Sequence, residues 1–172
     1  ETLVQTTKAM EISNRNLEER LHASKQEIND LQENLEAVRT ESLTDPLTQL
    51  ANRKFFDSTL EKSIAEALER NEALSLMLTD IDHFKTFNDS FGHLTGDQVL
   101  RLVAMSVKHN VKGKDTAARY GGEEFLLILP GMDSDQAVRA LDRLRAIIAD
   151  LDWSAFSPGM KVTMSAGVAT LK

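Results

Sequence analysis

The sequence predicts an α+β domain, a mostly antiparallel sheet flanked by helices, preceded by a long coiled-coil helix. Three observations carry this expectation. Residues 1–43 contain neither Pro nor Gly and repeat apolar residues every seven positions. Thr44-Asp45-Pro46 then interrupts the pattern. Beyond the break, apolar runs of strand length alternate with stretches of helical period in the order α, β, α, β, β, α, β.

The heptads come first. Leu3, Met10, Leu17, Leu31 and Val38 fall in one track, and Leu21, Ile28 and Leu35 in the other. With the first track as d positions, Ser24 also sits at d, and Thr7, Asn14, Leu21, Ile28, Leu35 and Ser42 occupy a. A buried Asn at a weakens a coiled coil but fixes two-stranded, parallel, in-register pairing, so Asn14 points to a parallel homodimer. The apolar stripe is narrow and flanked by Glu, Lys, Arg and Gln, which suits a zipper better than a helix lying on its own domain. The polar a positions near the start make it a modest zipper, as suits a stalk that can change its pairing. The expected division is a dimerisation stalk over 1–43 and a globular domain over 44–172.

Pro46 suits a first helical position after a capping oxygen, so a helix is expected from there to about Asn71, with Leu60, Ile64 and Leu68 apolar. Leu74 to Ile81 reads as a buried strand running into Asp80-Ile81-Asp82. Phe84 to Phe91 reads as a short helix or turn. A further helix is expected after Gly96-Asp97, with Val99, Leu100, Val103 and Val107 on one face. Residues 115–120 and 124–129 read as strands either side of a Gly121-Gly122 hairpin. Asp133 to about Asp150 is amphipathic and helical, and Val162 to Ala169 is the last strand.

Composition narrows the function. The 172 residues, 41% hydrophobic and 27% charged, suffice for one packed domain with an appended element. With no Cys there is no disulfide framework, no thiolate zinc site and no Cys nucleophile. A net charge of -7 opposes nucleic-acid binding through counterion release, though a small anion arriving with its own cation is still accommodated. No apolar run reaches the roughly 18–20 residues that span a bilayer, and the N-terminus lacks a secretion signal, so a cytoplasmic setting is expected. The sequence opens at Glu1 in mid-pattern. It reads as a piece of a longer chain with a sensor domain upstream, one that could carry a membrane anchor.

Acids mark the candidate site. Asp80 and Asp82 close the apolar strand, and Glu123 and Glu124 follow the two glycines. If the two strands are neighbours, these carboxylates crowd together, an unfavourable arrangement unless a cation neutralises them. Ligands that are all oxygen point to Mg²⁺, which takes one or two protein carboxylates and completes its shell with water and substrate phosphates. The glycine pair permits positive φ and lets a substrate approach without a Cβ in the way. Taken alone, it reads first as a tight turn with solvated glutamates.

The residues do not stand alone. Arg119-Tyr120-Gly121-Gly122-Glu123-Glu124-Phe125 resembles the signature loop of the GGDEF family of diguanylate cyclases, in its GGEEF form. Asp45-Pro46-Leu47-Thr48-Gln49-Leu50-Ala51-Asn52-Arg53 is similar to that family's opening helix. Asp80-Ile81-Asp82-His83-Phe84-Lys85, Asn88-Asp89 and Phe91-Gly92-His93 resemble its metal- and base-binding stretch. Gly96-Asp97 and Val162-Thr163-Met164-Ser165-Ala166-Gly167-Val168-Ala169 match as well, so the resemblance covers about 44–170.

The resemblance implies a nucleotide-cyclase-like fold and a diguanylate cyclase. Such an enzyme condenses two GTP into cyclic di-GMP across a dimer of domains and releases two pyrophosphates. The alternative is an inactive GTP or cyclic di-GMP receptor or dimerisation module. The resemblance further implies two Mg²⁺ ions per site, with Mn²⁺ an alternative, held by Asp80, Glu123 and the carbonyl of Ile81. Glu124 would lie near the ribose 3′-hydroxyl as base or second metal-facing acid, and Lys85 would act as a point charge on the triphosphate. Gly121 and Gly122 would admit the nucleotide. Asn88 and Asp97 would read guanine, beside plainer readings as a helix C-cap and a helix N-cap. His83 and His93 read as loop or surface residues, since Mg²⁺ avoids imidazole.

Two departures stand out. Lys112-Gly113-Lys114-Asp115 replaces the family's Arg-x-x-Asp product-inhibition motif, and Lys lacks the bidentate fork of Arg. An inhibitory site drawing on Asp115, Arg119 and Arg143 is therefore expected to be weak or absent. Relatives also continue past the last strand with a helix of the type A-L-Y-x-A-K-x-x-G-R-N, whereas this sequence stops at Lys172. It reads as truncated at the C-terminus, with one sheet face expected to be uncovered, part of the positive environment of the triphosphate missing, and the activity of the fragment left open by the sequence.

Overall fold

A computed structural model describes residues 8, 15–32, 43–156 and 159–171. The chain divides into two compact units, Glu1–Ser42 and Leu43–Lys172. In the first, helix α1 is described over residues 15–32. Its Leu17, Leu21, Ile28 and Leu31 are each more than half exposed, an apolar stripe at heptad spacing. The heptad positions Leu3, Thr7, Met10, Asn14, Leu35, Val38 and Ser42 lie outside the described residues, as does Lys172.

The second unit is built on a five-stranded sheet in the order β1-β3-β4-β2-β5. The strands are β1 (Ala51–Asn52), β2 (Leu74–Ile81), β3 (Thr116–Gly121), β4 (Glu124–Pro130) and β5 (Met164–Leu171). Only the β1 to β3 pairing is parallel, so the mostly antiparallel α+β architecture expected from the sequence is the one observed. The helices are α2 (Arg53–Arg70), α3 (Phe84–Phe91), α4 (His93–Asn110) and α5 (Ser134–Ala149), with a short 3₁₀ turn at Trp153–Ala155.

Strand alternation sends β2 and β4 residues to two cores. On one face Met77, Ile81, Phe125 and Leu127 pack with Val99, Leu100, Val103 and Val107 of α4 and Leu141, Leu144 and Ile148 of α5. On the other, Leu74, Leu126 and Ile128 pack with Phe56 and Ala67 of α2. The second cover is partial, and Leu78 on that face stays 47% exposed.

Three sequence expectations change. The first helix begins at Arg53, because Asn52 Oδ1 caps it by accepting from the Phe55 amide at 3.0 Å. Upstream, the Asp45 carboxylate accepts from the Thr48 amide at 2.8 Å and its hydroxyl at 2.7 Å, closing residues 45–50 into a turn instead of an opening helix. The buried face of α2 is set by Phe56 and Ala67 with Leu60 partly covered, while Leu68 points to solvent. Helix α4 begins at His93, after Gly92 at φ 82°, so Gly96 and Asp97 lie within its first turns.

Candidate active site

The acids converge through strand register. β2 and β4 are adjacent and antiparallel, and Asp80 stands directly opposite Glu124. Directly opposed residues share a face, so both side chains emerge on the partly covered side of the sheet. Glu123 sits one residue before β4, in the two-residue turn with Gly122. Gly122 adopts φ 48°, a left-handed conformation that suits glycine. Gly121 pairs with Glu124, and the Glu124 Oε2 lies 3.9 Å from where a Gly121 Cβ would stand. The ladder shifts by one residue between Arg119 and Gly121, which makes Tyr120 a β-bulge. The Tyr120 ring meets Phe56 edge-on with centroids 5.7 Å apart and lies under the Arg53 guanidinium at 4.5 Å.

Electrostatics follow this crowding. Burial, and then the negative charges of Glu123 and Asp82, push the Asp80 carboxyl above its ordinary range. Asp82 moves the other way, because hydrogen bonds from the Ser165 and Thr163 hydroxyls, each 2.6 Å long, hold its carboxylate ionised. The Asp82 amide also donates to the Thr163 carbonyl at 3.0 Å. Asp82 thus fastens the end of β2 to the approach to β5, while among the described residues the Asp80 carboxylate accepts no such bond. Among the described residues, no group of three or more His, Asp or Glu side chains is arranged to hold a metal unaided. Asp80 and Glu123, with the backbone carbonyl of Ile81 between the two aspartates, fit a hard cation that draws its remaining ligands from water and phosphate.

The other predicted residues fall into two places. Lys85 stands in the first turn of α3 and is exposed, and Asn88 follows three residues later. His83, which precedes α3, adopts φ 57° and turns the chain sharply between strand and helix. Asn88 is inside α3, not at its cap, and Asp97 is inside α4, so neither plainer capping reading applies. Asp115 and Arg143 lie at the opposite end of the sheet. Asp115 accepts from the Lys112 amide at 2.9 Å in the turn before β3. Arg143 lines a cleft of about 500 Å³ with Gly131, Met132, Gln136, Arg139 and Ala140. Arg119, grouped with them in the sequence reading, is at the hairpin end, bonded to Asp45 and to the Gly122 carbonyl.

Comparison with known proteins decides the family. The model of the diguanylate cyclase GGDEF domain matches residues 42–172. This chain belongs to the GGDEF diguanylate cyclase family. Among curated GGDEF relatives, the diguanylate cyclase DgcP of Pseudomonas aeruginosa is 38% identical over 91% of this chain and 23% of its own length. The response regulator PleD of Caulobacter vibrioides is 36% identical over 81% of this chain and 31% of its own. The chain thus spans under a third of either relative. Among solved structures, the coiled coil and GGDEF domain of DgcB from Caulobacter crescentus, in complex with c-di-GMP, is 41% identical with a TM-score of 0.84. That match covers 91% of this chain and 83% of the other, so the likeness extends to the coiled-coil stalk. The active GGEEF domain of a Vibrio cholerae diguanylate cyclase is 31% identical with a TM-score of 0.68, over 72% of this chain and 78% of that one. GGDEF cyclases act with a divalent metal, and among the described residues no helix is long and apolar enough to cross a membrane.

Proposed function

We propose that this chain condenses two GTP into cyclic di-GMP, with each domain of a dimer presenting one nucleotide. The observation that carries this is the placement of Asp80 opposite Glu124, with Glu123 beside them, in a chain of this family. Each ribose 3′-hydroxyl attacks the α-phosphorus of the other nucleotide. A new O–P bond forms, the bond to the β-phosphate oxygen breaks, and pyrophosphate leaves. Asp80, Glu123 and the Ile81 carbonyl would hold Mg²⁺, two ions per site, which when bound neutralise charge on the reacting phosphates. Glu124 takes the proton of the attacking hydroxyl. Lys85, on the first turn of α3, whose N-cap residue His83 makes no side-chain capping bond, faces the triphosphate as a compact positive charge. Asn88 and Asp97 read guanine, with Asp97 accepting from the N1 and N2 hydrogens.

The stalk over 1–43 forms a parallel coiled-coil dimer. Its exposed Leu17, Leu21, Ile28 and Leu31, and the coiled coil in the DgcB structure, support this reading. Pairing the stalks raises the concentration at which two nucleotide-bearing domains meet. Pyrophosphate release from GTP, titrated with Mg²⁺, tests the site. Asp80→Asn and Glu123→Gln are each expected to lower the metal-saturated rate by about 100-fold or more, as loss of charge stabilisation at phosphate implies. Release that continues undiminished in both variants contradicts the assignment.

A further inference from the structure

Asn88 and Gly96 meet where α3 and α4 pack together. Gly96 is buried, and a Cβ built on it would overlap Asn88 Oδ1 outright, come 3.0 Å from Asn88 Cγ and stand 3.2 Å from Phe84 Cζ. Asn88 Oδ1 is itself shielded from solvent and accepts no hydrogen bond, and among the described residues it is the one buried side-chain polar atom in that state. A carboxamide would ordinarily rotate to relieve such an acceptor. Here its oxygen end is seated in the space a side chain at position 96 would fill, which leaves the Nδ2 end to donate elsewhere.

We propose that Gly96 is a positioning residue for base recognition, its missing side chain setting the Asn88 carboxamide so that Nδ2 faces the guanine O6 beside Asp97. The inference rests on the functional reading above and deepens it. Guanine O6 accepts a hydrogen bond, whereas adenine carries an amino donor at that position, so an amide nitrogen held there favours guanine and opposes adenine. The arrangement is local. Alanine is otherwise preferred over glycine inside a helix, and the displaced atom is the tip of a rotatable side chain, so Gly96→Ala keeps the fold while moving Asn88.

The test measures binding, not turnover. Calorimetry would use GTP and ATP analogues with a methylene between the α- and β-phosphates, which blocks pyrophosphate loss, in the presence of Mg²⁺ and the full chain. Gly96→Ala is expected to bind the guanine analogue about 3- to 10-fold more weakly, the loss of one hydrogen bond, and to narrow its preference over the adenine analogue by a similar factor. Its circular dichroism and Tm stay close to those of the parent. Asn88→Ala gives the same loss, and adding Gly96→Ala to it removes nothing further, because the two act through one contact. The inference is overturned by Gly96→Ala that binds like the parent, loses the fold, weakens both analogues equally, or adds its full effect to Asn88→Ala. A parent chain that binds no guanine analogue overturns the functional reading, and this inference with it.

Discussion

The Arg119 guanidinium lies 3.3 Å from both carboxylate oxygens of Asp45 and donates through Nε to the Gly122 carbonyl at 2.9 Å. One side chain therefore joins the turn at the start of the domain to the glycine that shapes the signature hairpin. Both partners are largely shielded, with side chains 17% and 18% exposed, so the pair is screened less than a surface salt bridge.

Arg119→Ala leaves the Asp45 carboxylate without its cation and the Gly122 carbonyl without its donor. Urea denaturation should show a loss of about 1.5–3 kcal/mol, the range for hydrogen bonds to charged groups. The rate of product formation should fall too, because the turn carrying Glu123 is no longer held. Unchanged stability and rate together would show the pair to be incidental.

Asp45 also predicts a pH effect. Burial pushes its carboxyl upward, but hydrogen bonds from the Thr48 hydroxyl and amide and the charge of Arg119 outweigh it, and the net shift is below the ordinary 3.8. A carboxylate lowered by folding adds stability above its unfolded value and loses it as pH falls through the folded value. Asp45→Asn should therefore be less stable than the parent at neutral pH, and the gap should close only below about pH 3.8. Equal stability of the two proteins at neutral pH would contradict the assignment.

Asp82 anchors strand ends, so its removal should act on structure before chemistry. Asp82→Ala frees the Thr163 and Ser165 hydroxyls and is expected to lower stability by about 1–2 kcal/mol. The rate should fall by about tenfold as the neighbouring Asp80 and Ile81 shift. Asp82→Asn retains an acceptor oxygen and should recover part of both. A metal-ligand role would instead leave stability intact while raising the metal requirement, and a metal titration of the two variants separates the cases.

The Lys112 to Asp115 turn and Arg143 share one end of the sheet, away from the acids, but the Asp115 carboxylate already accepts from its own turn and Lys112 offers no planar fork. Product inhibition at that site should be weak, and Lys112→Arg should strengthen it. Steady-state inhibition by cyclic di-GMP measures this, and tight inhibition of the parent that Asp115→Ala abolishes would refute it.

Much of this was legible from residue pattern. β2 and β4 are rich in apolar residues because the central strands carry a core on one face and a partial cover on the other. The sequence placed their acids together only on the condition that the two strands are neighbours, which the Asp80–Glu124 register meets. The features that escaped are those decided by side chains or distant partners. Thr44-Asp45-Pro46 has the look of a helix start, yet Asp45 closes a turn on Thr48 and Asn52 caps the helix later. β1 has only two residues, too few for any periodicity. The Tyr120 bulge follows from ladder register, and the hold on Asp82 comes from residues more than 80 positions downstream. Gly96 resembled a helix start, when its role depends on an asparagine in the preceding helix.

The central claim is tested most directly by mass spectrometry of the products formed from GTP and Mg²⁺, with ATP in place of GTP and Glu123→Ala in place of the parent as controls. The account predicts cyclic di-GMP from GTP alone, with pyrophosphate, and its loss in the variant. A parent that binds the guanine nucleotide yet forms no cyclic di-GMP, or a Glu123→Ala variant that forms as much as the parent, would contradict it.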